Sequence, residues 1–236
     1  MNDRIKDFAQ CSKSAFSNTV SKLKKSYILF LFLLLQAIFD SLKATGFLGG
    51  NYLTGFILYL IDVAIYCFVA QSLRSLVIYG NSGKKSVDSS ISNFFYLSIN
   101  AMFSIYIINL FVDILTRGLS GSLYFVLMVL MKFLLSAVLE FVYIQQYYGV
   151  DIVIQSAKFV LNNILIWGLY SLVYVILESM LIRSLGIYGM PIAKEVFEIL
   201  ALTVLNTFFL LFKGHLFKLL NNHSYRQRKF MRGFDE

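Results

Sequence analysis

Six long apolar runs, joined by short polar segments, constrain this chain more than any other feature. A helix that crosses a bilayer needs about 20 predominantly apolar residues. Hydrocarbon offers no hydrogen-bond partners to backbone N–H and C=O groups, so a spanning segment must be helical. We therefore predict six membrane-spanning helices, at residues 27–42, 52–73, 94–115, 122–146, 160–182 and 196–220.

The composition agrees with that prediction. Charged residues make up 14% of the 236 residues, against about 25% in soluble proteins. Six spans with short loops leave no room for a large soluble domain. We expect an all-α fold in a single integral membrane domain, residues 1–236, with a lead-in at 1–25 and a basic tail at 221–236.

The positions of Lys and Arg predict the orientation. If the N-terminus is inside, the cytoplasmic segments hold 16 of these residues, Lys158 and Lys213 among them, and the opposite side holds four. Cytoplasmic segments of membrane proteins are enriched in Lys and Arg. We therefore predict a multi-pass plasma-membrane protein with both termini cytoplasmic. The net charge of +8 follows the same bias, so the expected partner is an anionic inner leaflet and not nucleic acid.

Amphipathic segments precede three of the predicted spans. Apolar residues recur at helical spacing in the lead-in 1–25, which predicts a helix that lies on the inner leaflet and then turns into the first span. Shorter versions, SVDSSISNFF and VDIVIQSAKFV, precede the third and fifth spans. The tail 221–236 fits either an interfacial anchor or a solvated basic segment. The single proline, Pro191, predicts few kinked helices.

The odd-numbered spans share a pattern that suggests three repeated helical hairpins. Near the predicted outer end of each, a carboxylate precedes a Lys or Arg by three to five residues; the carboxylates are Asp40, Asp113 and Glu178. Two interpretations of this outer acidic set stay open, which are local ion pairs and an acidic ring at a pore mouth.

This layout resembles that of YciC-like proteins and of the membrane domain attached to some glycerophosphodiester phosphodiesterases, both bacterial. The segment VDIVIQSAKFVLNNILIWGLYSLVYVI is most similar to them. The resemblance covers the layout of nearly the whole chain and no signature motif. It implies a six-helix membrane fold, and no enzyme activity, since this chain carries no phosphodiesterase domain.

Ionisable residues inside membrane spans are costly and are therefore candidates for function. Three lie deep in the predicted spans, namely Asp62, Lys132 and Glu140. Their predicted depths would suit a pair between Lys132 and Asp62. The set predicts either a polar pathway or binding site for a charged solute, peptide or lipid, or a structural ion pair that fixes helix packing.

Two functions follow from these observations. The first is a transport-related protein, either a permease-like subunit or an accessory to an export system. The second is a non-transporting assembly, scaffold or immunity factor that binds other membrane components. We expect no enzyme, cofactor or metal site, because the sequence has no phosphate-binding glycine loop and only two isolated cysteines, Cys11 and Cys67. Active transport would therefore need a partner ATPase or an ion gradient.

The orientation can be tested with epitope tags at the two ends of the full chain. Both tags should react with an impermeant antibody only after the cells are permeabilised, because positive-inside bias and an even span number place both ends in the cytoplasm. A tag that reacts in intact cells would contradict the six-span topology.

Overall fold

The computed structural model describes residues 2–44, 52–117, 121–185, 192–223 and 225–232. All regular structure in these ranges is helical, which confirms the all-α prediction. The helices are α1 Asn2–Leu23, α2 Tyr27–Ala44, α3 Tyr52–Val77, α4 Ser90–Leu115, α5 Gly121–Leu134, α6 Val138–Glu140, α7 Val150–Asn162, α8 Leu169–Leu185, α9 Ile192–Asn222 and α10 Tyr225–Arg232. Short π-helical turns, Phe141–Gln145 and Ile164–Gly168, follow α6 and precede α8.

Within the described ranges, four helical stretches are long and apolar enough to cross a bilayer. They are α3, α4, Val126–Gln145 and Val196–Asn222; counting two bent helix pairs as one span each raises the number to six. Only 11% of the apolar stretch of α4 is buried inside the protein, and 28% of that of α3. Apolar surface on this scale is compatible with a membrane protein, since lipid can cover it.

The chain forms two compact units. Unit 1 comprises Met1–Ser17, Tyr96–Leu172 and Lys213–Glu236, and unit 2 comprises Asn18–Phe95 and Val173–Phe212. In unit 1, α7 packs against α5. In unit 2, α2 packs against α3, and the rings of Phe32 and Phe68 stack there with centroids 4.7 Å apart.

Two of the three predicted lead-in segments are helices that bend sharply into the next helix. The axis turns by 89° between Asp3–Leu23 and Tyr27–Lys43, and by 92° between Val150–Asn162 and Ile164–Glu178. At the first bend the Ser26 hydroxyl donates to the carbonyl of Leu23, 2.7 Å away, which satisfies a carbonyl at the end of α1.

The third lead-in, SVDSSISNFF, differs from the prediction because it forms no separate helix. A 3-10 turn at Lys84–Ser86 leads to α4, which begins at Ser90. Serine hydroxyls bond to nearby carbonyls here, with Ser86 donating to Gly83 at 2.9 Å and Ser89 to Ser86 at 3.0 Å. Such local bonds compete with helix formation, so the first four residues of the segment form turns, whereas the rest of it is the beginning of α4.

The predicted span at 122–146 is found as the candidate span Val126–Gln145, but its helix is irregular, because a turn interrupts it between α5 and α6. Side chains from α7 and α9 bind the backbone groups that the interruption frees. The Ser156 hydroxyl donates to the Leu134 carbonyl at 2.8 Å and accepts from the Ala137 N–H at 3.3 Å. The Lys213 ammonium donates to the Ser136 carbonyl at 2.6 Å. We call residues 135–137 the helix break.

The predicted helix at 160–182 is also interrupted, at Asn163, where α7 ends and a π-helical turn begins. Gly168 ends that turn, and a Cβ there would lie 3.0 Å from the Phe133 ring, so a larger residue would require that ring to shift. The expectation of few kinks, drawn from the low proline content, is therefore wrong. Pro191 itself lies outside the described residues.

The N-terminal and C-terminal helices bind each other within unit 1. The guanidinium of Arg228 donates to the Asp7 carboxylate at 2.9 Å, and the Lys229 ammonium donates to Asp3 at 2.7 Å. The Arg4 guanidinium lies 5.8 Å from the centre of the Tyr225 ring. We call these contacts the terminal clasp. Residues 225–232 thus form a helix that pairs with α1 through Arg228 and Lys229.

Replacing Ser156 tests the repair of the helix break. S156A should lower the free energy of unfolding by about 1–3 kcal/mol, because it leaves a buried carbonyl and a buried N–H unpaired. Thermal unfolding in detergent measures the change. The matched control is S92A, which removes an exposed hydroxyl that bonds only to a carbonyl three residues earlier. Equal effects of the two variants would show that Ser156 does not hold the break.

Candidate functional site

A buried ion pair lies beside the helix break. Glu140 on α6 is fully buried, and its Oε1 lies 3.7 Å from the Nζ of Lys213 on α9. The two carboxylate oxygens accept no hydrogen bond from any residue that the structure describes. The ammonium, in contrast, donates to the Ser136 carbonyl and lies 5.2 Å from the centre of the Trp167 ring.

Ser136 organises the polar groups around the ammonium. Its hydroxyl oxygen accepts from the indole N–H of Trp167 at 2.9 Å and from the Ser171 hydroxyl at 3.4 Å. These bonds hold the indole face towards the Lys213 ammonium, where ring and cation attract each other. Lys213 is therefore bound by a carbonyl, a ring face and a carboxylate at once.

The two charges of the pair differ in how many contacts stabilise them. Removing two charges from water costs several kcal/mol for each ion, and good geometry and further hydrogen bonds must offset that cost. Lys213 has such bonds, whereas within the described residues the Glu140 carboxylate has only the ammonium at 3.7 Å. A buried carboxylate that accepts no hydrogen bond can bind a proton or a second cationic group. Glu140 can therefore take part in binding as well as in helix packing.

Four aromatic rings lie next to the pair. They are Phe141, Phe159, Trp167 and Phe217, and all four are buried. The centroid of Phe217 lies 4.9 Å from that of Phe141 and 4.6 Å from that of Phe159, which in turn lies 5.1 Å from Trp167. We call these rings the aromatic layer.

A polar cavity of 610 Å³ lies next to that layer, also within unit 1. Phe141 and Phe159 line the cavity as well as belonging to the aromatic layer. Lys213 and Phe217 are four residues apart on α9, and Leu220 of the same helix reaches the cavity lining. The layer therefore adjoins the cavity through two of its rings, and neither Glu140 nor Lys213 lines the cavity.

The partners of the predicted deep residues differ from those expected. Asp62 pairs with Lys43, with Nζ to Oδ1 at 2.9 Å, instead of with Lys132. Lys132 is exposed and has no ion partner among the residues described. Glu140 pairs with Lys213.

The outer acidic set is heterogeneous. Lys43 pairs with Asp40 at 2.6 Å, as local ion pairing predicts. Asp113 accepts a hydrogen bond from the Tyr124 hydroxyl at 3.1 Å and forms no ion pair with the exposed Arg117. Glu178 accepts from Tyr174 at 3.4 Å. The side chain of Arg183 lies outside what the structure describes.

Sequence reasoning missed Lys213 as a site residue because it counted this residue with the cytoplasmic end. The signal was present, since Lys213 stands in FFLLFKGHLF with apolar residues on both sides. Ser136 and Trp167 gave no comparable signal. Their roles depend on contacts across 77 and 31 residues of sequence, which no local pattern reveals.

In comparisons with known proteins, no family model, curated protein or solved structure matches the chain. The resemblance to YciC-like proteins therefore stays a prediction.

Double substitution tests the coupling of Glu140 and Lys213. K213M should destabilise the protein by about 3–5 kcal/mol, because it leaves a buried carboxylate unpaired, and K213M/E140L should recover most of that loss. Unfolding in detergent measures both values. The control is K229M in the Lys229–Asp3 pair, whose side chains are 59% and 55% exposed, and which should leave stability nearly unchanged because solvent screens an exposed pair. Additive effects at 140 and 213 would rule out coupling.

Proposed function

We propose that the chain is a transport-related, multi-pass protein of the plasma membrane that binds and moves a charged solute past the Glu140–Lys213 pair. The observation that carries the proposal is a fully buried carboxylate that lacks hydrogen bonds and lies beside an interrupted helix within a candidate span. Transporters bind their cargo at interrupted helices, where free backbone groups and ionisable side chains meet.

The order of the elements along unit 1 also supports a pathway. A solute in the polar cavity would meet first the aromatic layer and then the Glu140–Lys213 pair. Rings that pack edge-to-face can separate when their helices shift, so in the proposed pathway the layer would act as a gate.

The terminal clasp supports the proposed orientation. Asp7 and Arg228 bind each other, so α1 and α10 lie next to each other, which agrees with both ends of the chain being on one side of the membrane. An even number of spans satisfies this requirement, and six spans with both termini in the cytoplasm agree with the positions of Lys and Arg.

Transport can be tested in liposomes that contain the full chain. We expect charge movement when a proton gradient, or a mixture of amino acids and short peptides, is applied. E140Q should reduce the current to that of protein-free liposomes at equal protein content, since it removes the charge and keeps the shape. D40N is the control, because Asp40 is exposed and lies in unit 2.

If wild type and E140Q give equal currents at equal abundance, the pair is structural and the transport proposal fails. The alternative function, a scaffold or assembly factor that binds other membrane components, would then be favoured.

A further inference from the structure

The lining of the 610 Å³ cavity has an unusual chemical composition. Seven of its fourteen residues are Asn or Gln, contributed by the π-helical turn after α6, by α7 with the residue that follows it, by α9 and by α10. No Asp or Glu lines it among the residues described. A carboxamide both donates and accepts hydrogen bonds, so these walls suit a ligand whose groups do the same, such as hydroxyls.

The cavity has a single uncompensated positive charge. Its two cations are Lys158 and Arg228. The Asp7 carboxylate already binds the Arg228 guanidinium, through Nε at 3.2 Å and through the terminal nitrogen at 2.9 Å. Lys158 is exposed and forms no ion pair within the part of the chain described. The cavity therefore matches a ligand with one negative charge.

Helix α7 has a polar stripe and an exposed apolar stripe of side chains at this site. Gln155, Lys158 and Asn162 follow one another at helical spacing and all line the cavity. Ile154 and Leu161 occupy an adjacent stripe and are 44% and 58% exposed. A molecule with a polar head and apolar chains fits both stripes at once, with its head in the cavity and its chains along the exposed apolar side chains.

We propose that this cavity binds a hydroxyl-bearing phosphodiester head group, as in a phosphatidylglycerol lipid. A phosphodiester carries one negative charge, which Lys158 can neutralise, and the glycerol hydroxyls can bond to the carboxamides. The volume of 610 Å³ lies within the range of about 300–1,000 Å³ that is typical of small-molecule sites. The inference does not depend on transport, because binding requires no movement past Glu140.

Binding can be measured through Trp167, the only tryptophan of the chain, whose ring lies 5.1 Å from that of the cavity residue Phe159. The full chain is placed in phosphatidylcholine nanodiscs with increasing fractions of phosphatidylglycerol. We expect a saturable change in tryptophan fluorescence. An equal fraction of phosphatidic acid, which lacks head-group hydroxyls, should give a much weaker response.

Three variants separate site binding from surface attraction, and two of them, K158Q and K84Q, each remove one positive charge. K158Q should weaken the phosphatidylglycerol response about tenfold, the loss of one charge-assisted hydrogen bond. K158R should keep it, since the charge remains. K84Q removes one exposed positive charge from unit 2 and should have no effect.

Two results would overturn the inference. Equal losses in K158Q and K84Q would show general attraction of anionic lipid to a basic surface. A full fluorescence response to soluble glycerol phosphate in pure phosphatidylcholine nanodiscs would show that the site takes a soluble phosphate and not a lipid head.

Discussion

The hydrogen bonds that side chains make to the backbone at residues 135–137 determine how the rest of unit 1 is arranged. An interrupted helix in hydrocarbon exposes N–H and C=O groups that no solvent can satisfy. Ser156 and Lys213 satisfy them, so α7 and α9 must lie against the break. The same contact that repairs the backbone also brings the Lys213 ammonium to Glu140.

That arrangement links fold and candidate function. A continuous helix would leave no carbonyl for the Lys213 ammonium, and the lysine would then depend on Glu140 alone. The Lys213 ammonium donates to the Ser136 carbonyl and lies against the Trp167 ring. It therefore stays 3.7 Å from the Glu140 carboxylate, whose oxygens can still accept hydrogen bonds. The structure thereby holds a buried carboxylate without hydrogen bonds beside the helix break, which is the feature on which the proposed function depends.

The sequence predicted the helices well and their interruptions poorly. A long apolar run indicates that a segment is surrounded by lipid or by other apolar side chains. The predicted bounds of α2, α3 and α9 therefore lie within a few residues of the observed ones. The break at 135–137 depends on Ser156 and Lys213, which lie far away in sequence, and no proline marks it. The bends into α2 and α8 were anticipated because the helices before them are amphipathic.

The site was predicted only in part, for a related reason. Glu140 was selected because a carboxylate inside an apolar run is costly wherever it lies. Its partner was missed because positive-inside reasoning assigns every terminal lysine to the cytoplasm, and Lys213 is instead buried in α9. Asp62 was selected for the same reason, and the partner that the structure gives it is Lys43 and not Lys132. Residue type predicts that a buried charge needs a partner, while only the fold selects which one.

The most direct test of a solute pathway is cysteine accessibility at the break. S136C, in a chain without Cys11 and Cys67, should react slowly with an impermeant thiol reagent added from the cytoplasmic side, whereas A101C, at a fully buried position of α4, should not react. Equal resistance of both cysteines would show that water does not reach the pair and would contradict the pathway.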